Sequence, residues 1–173
     1  MNLVLKATQF AAFKHCDQQR KDGKTPYIIH PISVAIILAE IGDIDDPEIL
    51  SAALLHDTIE DTDTSAHELD KEFGSRVRII VEELTDNNQL TFSQRKQMQI
   101  ENAPHLSKDA TLVKIADKIS NVSDVIKTPP PEWDQKRCTE YVDVAEAVIN
   151  NCQIVNQDLE NNFFELLTEY RKL

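Results

Sequence analysis

Two histidines and two aspartates are the side chains whose types point most directly to chemistry. They lie in three separate regions of the chain, as His30, as the pair His56 and Asp57, and as Asp117. Imidazole nitrogens and carboxylate oxygens together suit a divalent first-row metal such as Mn, Fe, Co or Zn. A histidine before a proline, or an isolated His-Asp pair, is common without any metal, so the surroundings of these residues decide the interpretation.

The surroundings of His56 and Asp57 favour a metal site. The pair follows the apolar run Ala-Ala-Leu-Leu at 52–55, which places both polar side chains at the end of a buried helix. A buried imidazole and a buried carboxylate each need a polar partner, and a metal ion satisfies both. We therefore predict that His56 and Asp57 bind a metal.

Asp117 lies inside an apolar helical segment, and two further polar residues follow it at helical spacing. Asn121 and Asp124 come four and seven residues later, so the three side chains share one face of the helix. An isolated Asp117 would indicate a solvated polar face. A row of Asp, Asn and Asp beside a core stripe is instead typical of a pocket wall.

Glu60 and Asp61 belong to the acidic segment that directly follows the His-Asp pair. Their position only three and four residues after Asp57 places carboxylates where they could accept a proton from a water molecule or steer it. A divalent metal would lower the pKa of that water towards neutrality and make it a nucleophile. Glu60 and Asp61 are therefore the predicted catalytic pair.

The elements that must position these residues are helices. Only 3 of the 173 residues are glycine and 6% are aromatic, a composition that suits helices better than a sheet with tight turns. Apolar periodicity and helix-end signals predict helices over about 3–20, 31–41, 47–57, 65–74, 77–84, 93–101 and 111–126, with one or two more after the proline run at 129–131. We predict an all-α, single-domain bundle of about eight or more helices.

Local signals support several of these helix ends. Asp46 followed by Pro47 is a typical N-cap and first helical residue, and Ser65 with Glu68 three residues later has the spacing of a capping box. The best strand candidate, 79–81, lies within a longer helical period, so a sheet is not expected.

Composition limits the partners of the protein. The net charge of −12 repels polyphosphates, so we expect no nucleic acid partner, although a small anionic ligand could bind where basic residues cluster. Arg20, Lys21 and Lys24 form such a cluster. They lie in a polar loop, and basic residues in such loops are more often exposed to solvent than bound to a ligand. Three cysteines without CxxC spacing and the absence of a signal peptide indicate a cytoplasmic protein. No apolar run is long enough to span a membrane.

Three longer segments resemble a known family. His30, His56-Asp57 and Asp117 match the H…HD…D signature of the HD phosphohydrolase superfamily. Their surroundings, TPYIIHP at 25–31, ALLHDTIEDT at 53–62 and VKIADKISN at 113–121, resemble the (p)ppGpp hydrolase domain of the RelA/SpoT family. The resemblance covers nearly the whole chain and is closest to the small stand-alone alarmone hydrolases.

This resemblance implies a reaction and a set of roles. The reaction is removal of the 3′-diphosphate from ppGpp or pppGpp, which gives GDP or GTP and pyrophosphate. The Mn(II) ligands would be His30, His56, Asp57 and Asp117. Glu60 and Asp61 match the pair that handles the attacking water and the charge of the metal. Arg20 and Lys21 match a basic pair that binds the nucleotide, and Asn121 a residue that contacts its ribose-phosphate region.

Some features leave alternatives open. Many relatives carry a bulky Leu-Tyr or Leu-His pair where this chain has Ile119 and Ser120, which changes one pocket wall. We expect one HD phosphohydrolase domain over 1–173, with no synthetase or regulatory domain. The alternatives are an HD phosphatase acting on another nucleotide such as NADPH and, from a different class, a catalytically silent nucleotide sensor. The sequence ranks neither ppGpp against pppGpp nor a monomer against a homo-oligomer.

Overall fold

The computed structural model describes residues 2–173, and regular structure there is helical. The helices are α1 (Leu3–Lys14), α2 (Ile29–Glu40), α3 (Pro47–Leu55), α4 (Thr58–Asp61), α5 (Ala66–Phe73), α6 (Ser75–Leu84), α7 (Phe92–Asn102), a 3-10 turn (Ala103–His105), α8 (Lys108–Lys127), α9 (Gln135–Asn151) and α10 (Gln157–Tyr170). The predicted all-α bundle is confirmed, and the strand candidate at 79–81 lies within α6.

The predicted helix starts are made by side chains that cap backbone amides. The Asp46 carboxylate accepts hydrogen bonds from the amides of Glu48 and Ile49, which opens α3 with Pro47 in its first turn. The Ser65 side chain accepts one from the amide of Glu68 and opens α5. Such a cap is worth about 1 kcal/mol, because it pairs amides that have no partner inside the helix.

The first helix is shorter than predicted, and this difference forms part of the site. α1 ends at Lys14 with His15 as its C-cap, whereas the sequence predicted a helix to about Arg20. An antiparallel bridge between Gln19 and Pro26 closes the following loop. The turn is further held by the Asp22 carboxylate, which accepts hydrogen bonds from the amide and the hydroxyl of Thr25. Arg20 and Lys21 are therefore presented from a fixed loop.

α8 is the central element of the core. It packs against α2, α3, α6, α9 and α10, and its residues from 110 to 120 are all buried. A helix buried on all sides over this length normally carries only apolar side chains. Lys114, Asp117 and Lys118 depart from that pattern, so their charges must be met by groups from the neighbouring helices.

Among residues 2–173, no helix has both the length and the apolarity needed to cross a lipid bilayer. The division of the chain into one HD phosphohydrolase domain over 1–173, with no synthetase or regulatory domain, stays a prediction.

Candidate active site

Three helices bring the four predicted metal ligands together. His30 lies in the first turn of α2, His56 is the C-cap of α3 and is followed by Asp57, and Asp117 lies midway along α8. Because α2 and α3 both pack on α8, these positions meet at the centre of the bundle. The four side chains are 2%, 6%, 19% and 12% exposed, in chain order.

The donor atoms of this cluster face one another. His30 Nε2 lies 3.1 Å from Asp117 Oδ1 and 3.7 Å from Asp57 Oδ2. His56 Nε2 lies 3.1 Å from Asp57 Oδ2 and 3.7 Å from Asp117 Oδ1. One donor atom each from His30, His56 and Asp117 lies within 4.8 Å of the other two, close enough to share one ion.

The hydrogen bonds of the imidazoles show that this donor set fits a cation. His56 Nδ1 lies 2.7 Å from the carbonyl oxygen of Ala53, to which it can only donate. When His56 is unprotonated, its Nε2 presents a lone pair to the neighbouring carboxylate oxygens, and this buried atom makes no hydrogen bond to any described residue. Converging acceptors repel one another unless a positive charge lies between them, and a divalent metal supplies it.

The proton affinities of the cluster lead to the same conclusion. Burial disfavours the imidazolium, yet the carboxylates of Asp57 and Asp117 outweigh it and raise the pKa of His56 to about 10. Burial lowers the pKa of His30 in spite of Asp117. The cluster therefore holds a cation even without metal, in the form of a proton on His56, and metal binding would replace that proton.

Tyr27 is a member of this site that the sequence analysis missed. Its hydroxyl donates to Asp57 Oδ2 at 2.7 Å and lies 3.2 Å from Asp61 Oδ2. It thus joins a predicted metal ligand to a predicted catalytic residue. Burial, reinforced by Asp57, raises the pKa of Tyr27 far above its ordinary value, so this hydroxyl keeps its proton and acts as a donor. The TPYIIHP motif that contains it was the only signal in the sequence.

Glu60 and Asp61 lie in α4 and line the same cavity as the predicted metal ligands. Glu60 Oε2 accepts a hydrogen bond of 2.9 Å from the amide of Asp86, and Arg95 Nη1 lies 3.7 Å from Glu60 Oε1. Burial raises the pKa of Glu60 to about 7, with the carboxylates of Asp86 and Asp57 acting in the same direction. Burial and Asp57 also raise the pKa of Asp61. Carboxylates with raised pKa values exchange protons readily near neutral pH.

Of the three predicted basic residues, Arg20 and Lys21 line the site, whereas Lys24 is exposed to solvent. Arg20 donates to Asn121 Oδ1 at 2.9 Å and to Asp124 Oδ2 at 2.6 Å, which fixes its guanidinium against the polar face of α8. Lys21 is exposed overall, but its ammonium lies 4.5 Å from the ring centre of Tyr141. Loss of hydration there, together with the charge of Arg20, lowers the pKa of Lys21 to about 8. Lys24 is exposed and lines neither of the two cavities that open beside the cluster.

Two adjoining cavities open beside this cluster. The larger, about 370 Å³, is lined by all the predicted metal ligands, both predicted catalytic residues and the predicted nucleotide contacts. The smaller, about 100 Å³, lies behind α2 and includes Ser33, Ser120 and Thr128. Both cavities are lined by Arg20, Lys21, His30, Asn121 and Tyr141. A ligand with two chemically different ends could occupy them together.

Ser120 has a defined role at the position where relatives carry a larger ring. Its hydroxyl lies 3.1 Å from Nδ1 of His30, so the small side chain orients a predicted metal ligand and leaves the smaller cavity open beside it. Sequence alone showed the departure but not this contact, because the two residues come from different helices.

The fold and the cluster are those of a recognised family. The model of the HD domain family matches residues 7–171, so the chain belongs to the HD domain family. Within it, the chain is 47% identical over 167 residues to the mouse (Mus musculus) guanosine-3′,5′-bis(diphosphate) 3′-pyrophosphohydrolase MESH1, covering 96% of this chain and 93% of the relative. It is 48% identical over 158 residues to the Homo sapiens MESH1, covering 91% and 88%.

A solved structure agrees with the whole fold. It belongs to a metazoan ortholog of SpoT that hydrolyzes ppGpp and plays a role in starvation responses. The two structures superpose with a TM-score of 0.95 at 40% sequence identity, over 100% of this chain and 98% of the other. The resemblance to the HD-type alarmone hydrolases that the sequence indicated is confirmed.

Proposed function

We propose that this chain is a Mn(II)-dependent guanosine-3′,5′-bis(diphosphate) 3′-pyrophosphohydrolase, which converts ppGpp or pppGpp to GDP or GTP and pyrophosphate. The observation that carries the proposal is the convergence of two imidazoles and two carboxylates on the wall of a cavity that also holds the predicted catalytic pair. The names of the relatives that match nearly the full chain support the choice of substrate.

The metal would be held by His30, His56, Asp57 and Asp117. When bound, the ion supplies a Lewis acid that lowers the pKa of a water molecule and polarises a phosphoryl oxygen. Nitrogen and carboxylate ligands suit Mn(II) among several first-row metals, and the choice of Mn(II) follows the family resemblance. Ala53 and Ser120 orient the two imidazoles through their Nδ1 atoms.

Glu60 and Asp61 would manage the proton of the attacking water. Glu60, with a pKa of about 7, can accept a proton at neutral pH and release it again. Asp61 is held beside Asp57 by the Tyr27 hydroxyl, so its position is tied to the metal ligands. Two carboxylates beside the cluster can thus orient the water and take its proton.

The nucleotide would bind through Arg20, Lys21 and Asn121. The Arg20 guanidinium is fixed by Asn121 and Asp124, and a fixed planar cation can stack on a base or bind a phosphate. The Lys21 ammonium, held near Tyr141, adds a second positive charge beside the same cavity. These local cations let an anion approach a chain whose net charge is −12.

The bonds of the reaction balance without a covalent intermediate. The water oxygen forms a bond to the phosphorus that carries the ribose 3′-oxygen, and the bond between that phosphorus and the 3′-oxygen breaks. One proton passes from the water to Glu60 or Asp61, and a proton is returned from that carboxyl, directly or through solvent, to the 3′-oxygen, which leaves as a hydroxyl. The products are the guanosine nucleotide and free pyrophosphate.

We further propose that the partner is a small guanosine nucleotide rather than nucleic acid, and that the protein works in the cytoplasm. The acidic chain and the three free cysteines support these two proposals.

The test is hydrolysis of ppGpp by the metal-stripped protein with and without added Mn(II), following GDP and pyrophosphate together. We expect Mn-dependent release of both products. The double variant Glu60→Gln with Asp61→Asn should lose turnover by about a hundredfold or more while keeping its fold, because the water loses its proton acceptors. Release unaffected by chelation would contradict the metal requirement. No release from folded, Mn-loaded protein, with phosphate released from NADPH, would support the other nucleotide phosphatase instead.

A further inference from the structure

Two lysines lie on the part of α8 that lines the larger cavity. Lys114 and Lys118 are each only 8% exposed, and both line the larger cavity. Their spacing of four residues places them on one face of α8, and Asp117 of the metal cluster immediately precedes Lys118. Two lysine side chains on one wall of this open cavity form a local basic patch, and burial lowers the pKa of Lys114.

The two lysines differ in whether neighbouring side chains pair with their ammonium groups. Lys118 donates to Gln99 Oε1 at 3.1 Å, and its ammonium lies 3.4 Å from Asp117 Oδ2. Lys114 makes no side-chain hydrogen bond and no ion pair to any residue from 2 to 173. The Lys114 side chain therefore lines the open cavity without a direct counter-ion, where an anionic ligand could pair with it.

The carboxylates around the cavity are already engaged elsewhere. Asp57 and Asp117 face the two histidines, and Glu60 accepts from the amide of Asp86. The Asp86 side chain accepts from Gln99 at 2.5 Å. Six cationic and five anionic side chains line the cavity, a positive balance in a chain of net charge −12. The lining of the cavity therefore favours an anionic ligand near Lys114.

The location of the lysines indicates which part of a substrate they meet. Arg20 and Lys21 line both cavities, whereas Lys114 and Lys118 line only the larger one, beside the metal cluster. If a nucleoside is held by Arg20 and Lys21 in the smaller cavity, its phosphates would extend into the larger one, where the lysines of α8 lie.

We propose that Lys114 and Lys118 bind the diphosphate that is transferred to water and then leaves as pyrophosphate. This inference rests on the proposed function for the identity of the substrate. As the water oxygen bonds to the phosphorus and the bond to the ribose 3′-oxygen breaks, the two ammonium groups hold the non-bridging oxygens and offset their charge. Lys118 is also tied to Gln99, so α7 helps to orient it.

The test compares methionine variants of three lysines on the same helix. Lys114→Met and Lys118→Met remove the charge but keep an unbranched side chain that a buried site accepts. Lys108→Met is the matched control, because Lys108 is exposed at the start of α8 and lines neither cavity. Binding of inorganic pyrophosphate and of GDP to the Mn(II)-loaded full chain is measured by calorimetry, together with kcat and KM for ppGpp.

We expect each cavity variant to weaken pyrophosphate binding by about tenfold or more, since each removes a charge-assisted contact, and to lower kcat/KM to a similar extent. GDP binding should change much less, which a purely structural role would not produce. Lys108→Met should match the wild type. Unchanged pyrophosphate binding in a folded Lys114→Met protein would overturn the inference. If the wild type hydrolyses no ppGpp but Lys114→Met loses pyrophosphate binding, the proposed substrate is wrong and the diphosphate site stands.

Discussion

Charged side chains cluster at both ends of α3, but the two clusters differ in which groups pair with their carboxylates. At its amino end, Arg76 from α6 donates to Asp46 at 2.8 Å and to Glu48 at 2.9 Å, and it lies 2.9 Å from Asp109. These side chains are 28–40% exposed. At its carboxyl end, His56 and Asp57 meet His30 and Asp117 in a cluster in which imidazole Nε2 atoms lie beside carboxylate oxygens.

The difference separates a cluster that is complete from one that needs a ligand. A guanidinium has enough donors for several carboxylates, so the Arg76 cluster satisfies itself and water screens what remains. At the carboxyl end, Tyr27 donates to Asp57 and the Lys118 ammonium lies 3.4 Å from Asp117, but imidazole Nε2 atoms and carboxylate oxygens face one another in the arrangement that a metal ion would bind. Charge density alone therefore does not identify a site, whereas the balance of donors and acceptors does.

The largest expected effect comes from making the same substitution at both ends. Asp117→Asn removes a predicted ligand, and we expect Mn(II) affinity, measured by calorimetry, to fall by at least about a hundredfold together with hydrolysis. Asp46→Asn is the matched control, because asparagine also caps a helix start well. It should leave Mn(II) binding unchanged. Equal loss of Mn(II) binding in both variants would show that the two ends do not differ as described.

A smaller effect concerns pH. Burial raises the pKa of Glu60 to about 7, so the fraction of the carboxylate that can accept a proton grows as pH rises through that value. We expect kcat/KM for ppGpp to increase up to about pH 7 and then to level, and Glu60→Gln to lose this step. A profile measured at constant ionic strength, and identical in wild type and Glu60→Gln, would exclude Glu60 as the group that titrates.

At the amino end of α3, the pKa of Asp46 is shifted in the opposite direction to that of Glu60. Burial opposes ionisation of Asp46, but the hydrogen bonds from Arg76 and from the amides of Glu48 and Ile49 together outweigh it and lower the pKa of Asp46 below its ordinary value. Because this pKa is depressed in the folded protein, the stability that Asp46 contributes is present above its unfolded pKa and is lost as pH falls through the folded value. The two ends thus titrate in separate ranges.

The smallest expected effect is on stability at the amino end. Arg76→Met leaves three partly exposed carboxylates near one another, and we expect a loss of about 1 kcal/mol in the free energy of unfolding by urea. Added salt should reduce this loss, because it screens exposed charges. Mn(II) binding should not change. A loss that salt does not affect would mean that Arg76 acts mainly through packing.

Much of the fold could be predicted because its signals are local. Asp46 with Pro47, and Ser65 with Glu68, fix helix starts through contacts a few residues apart, and the apolar spacing of α8 is visible directly in the sequence. The end of α1 could not be predicted. It depends on the bridge between Gln19 and Pro26, and helical periodicity carries no information about such a pairing.

The sequence predicted which residue types form the site but not which side chains contact one another. His30, His56 and Asp117 carry their chemistry in the side chain itself, and the structure places one donor atom of each within 4.8 Å of the others. Tyr27 with Asp57, and Ser120 with His30, are contacts between distant parts of the chain. Single-helix patterns cannot show them, because they depend on how helices pack.

The predicted metal ligands come from three helical regions that are far apart in the sequence. An ion bound there would join remote stretches of chain much as a disulfide does, but through bonds that form and break reversibly. The number of such cross-links in a population of molecules follows the free metal concentration. The lifetime of the folded protein would therefore be set in part by the metal supply of its surroundings.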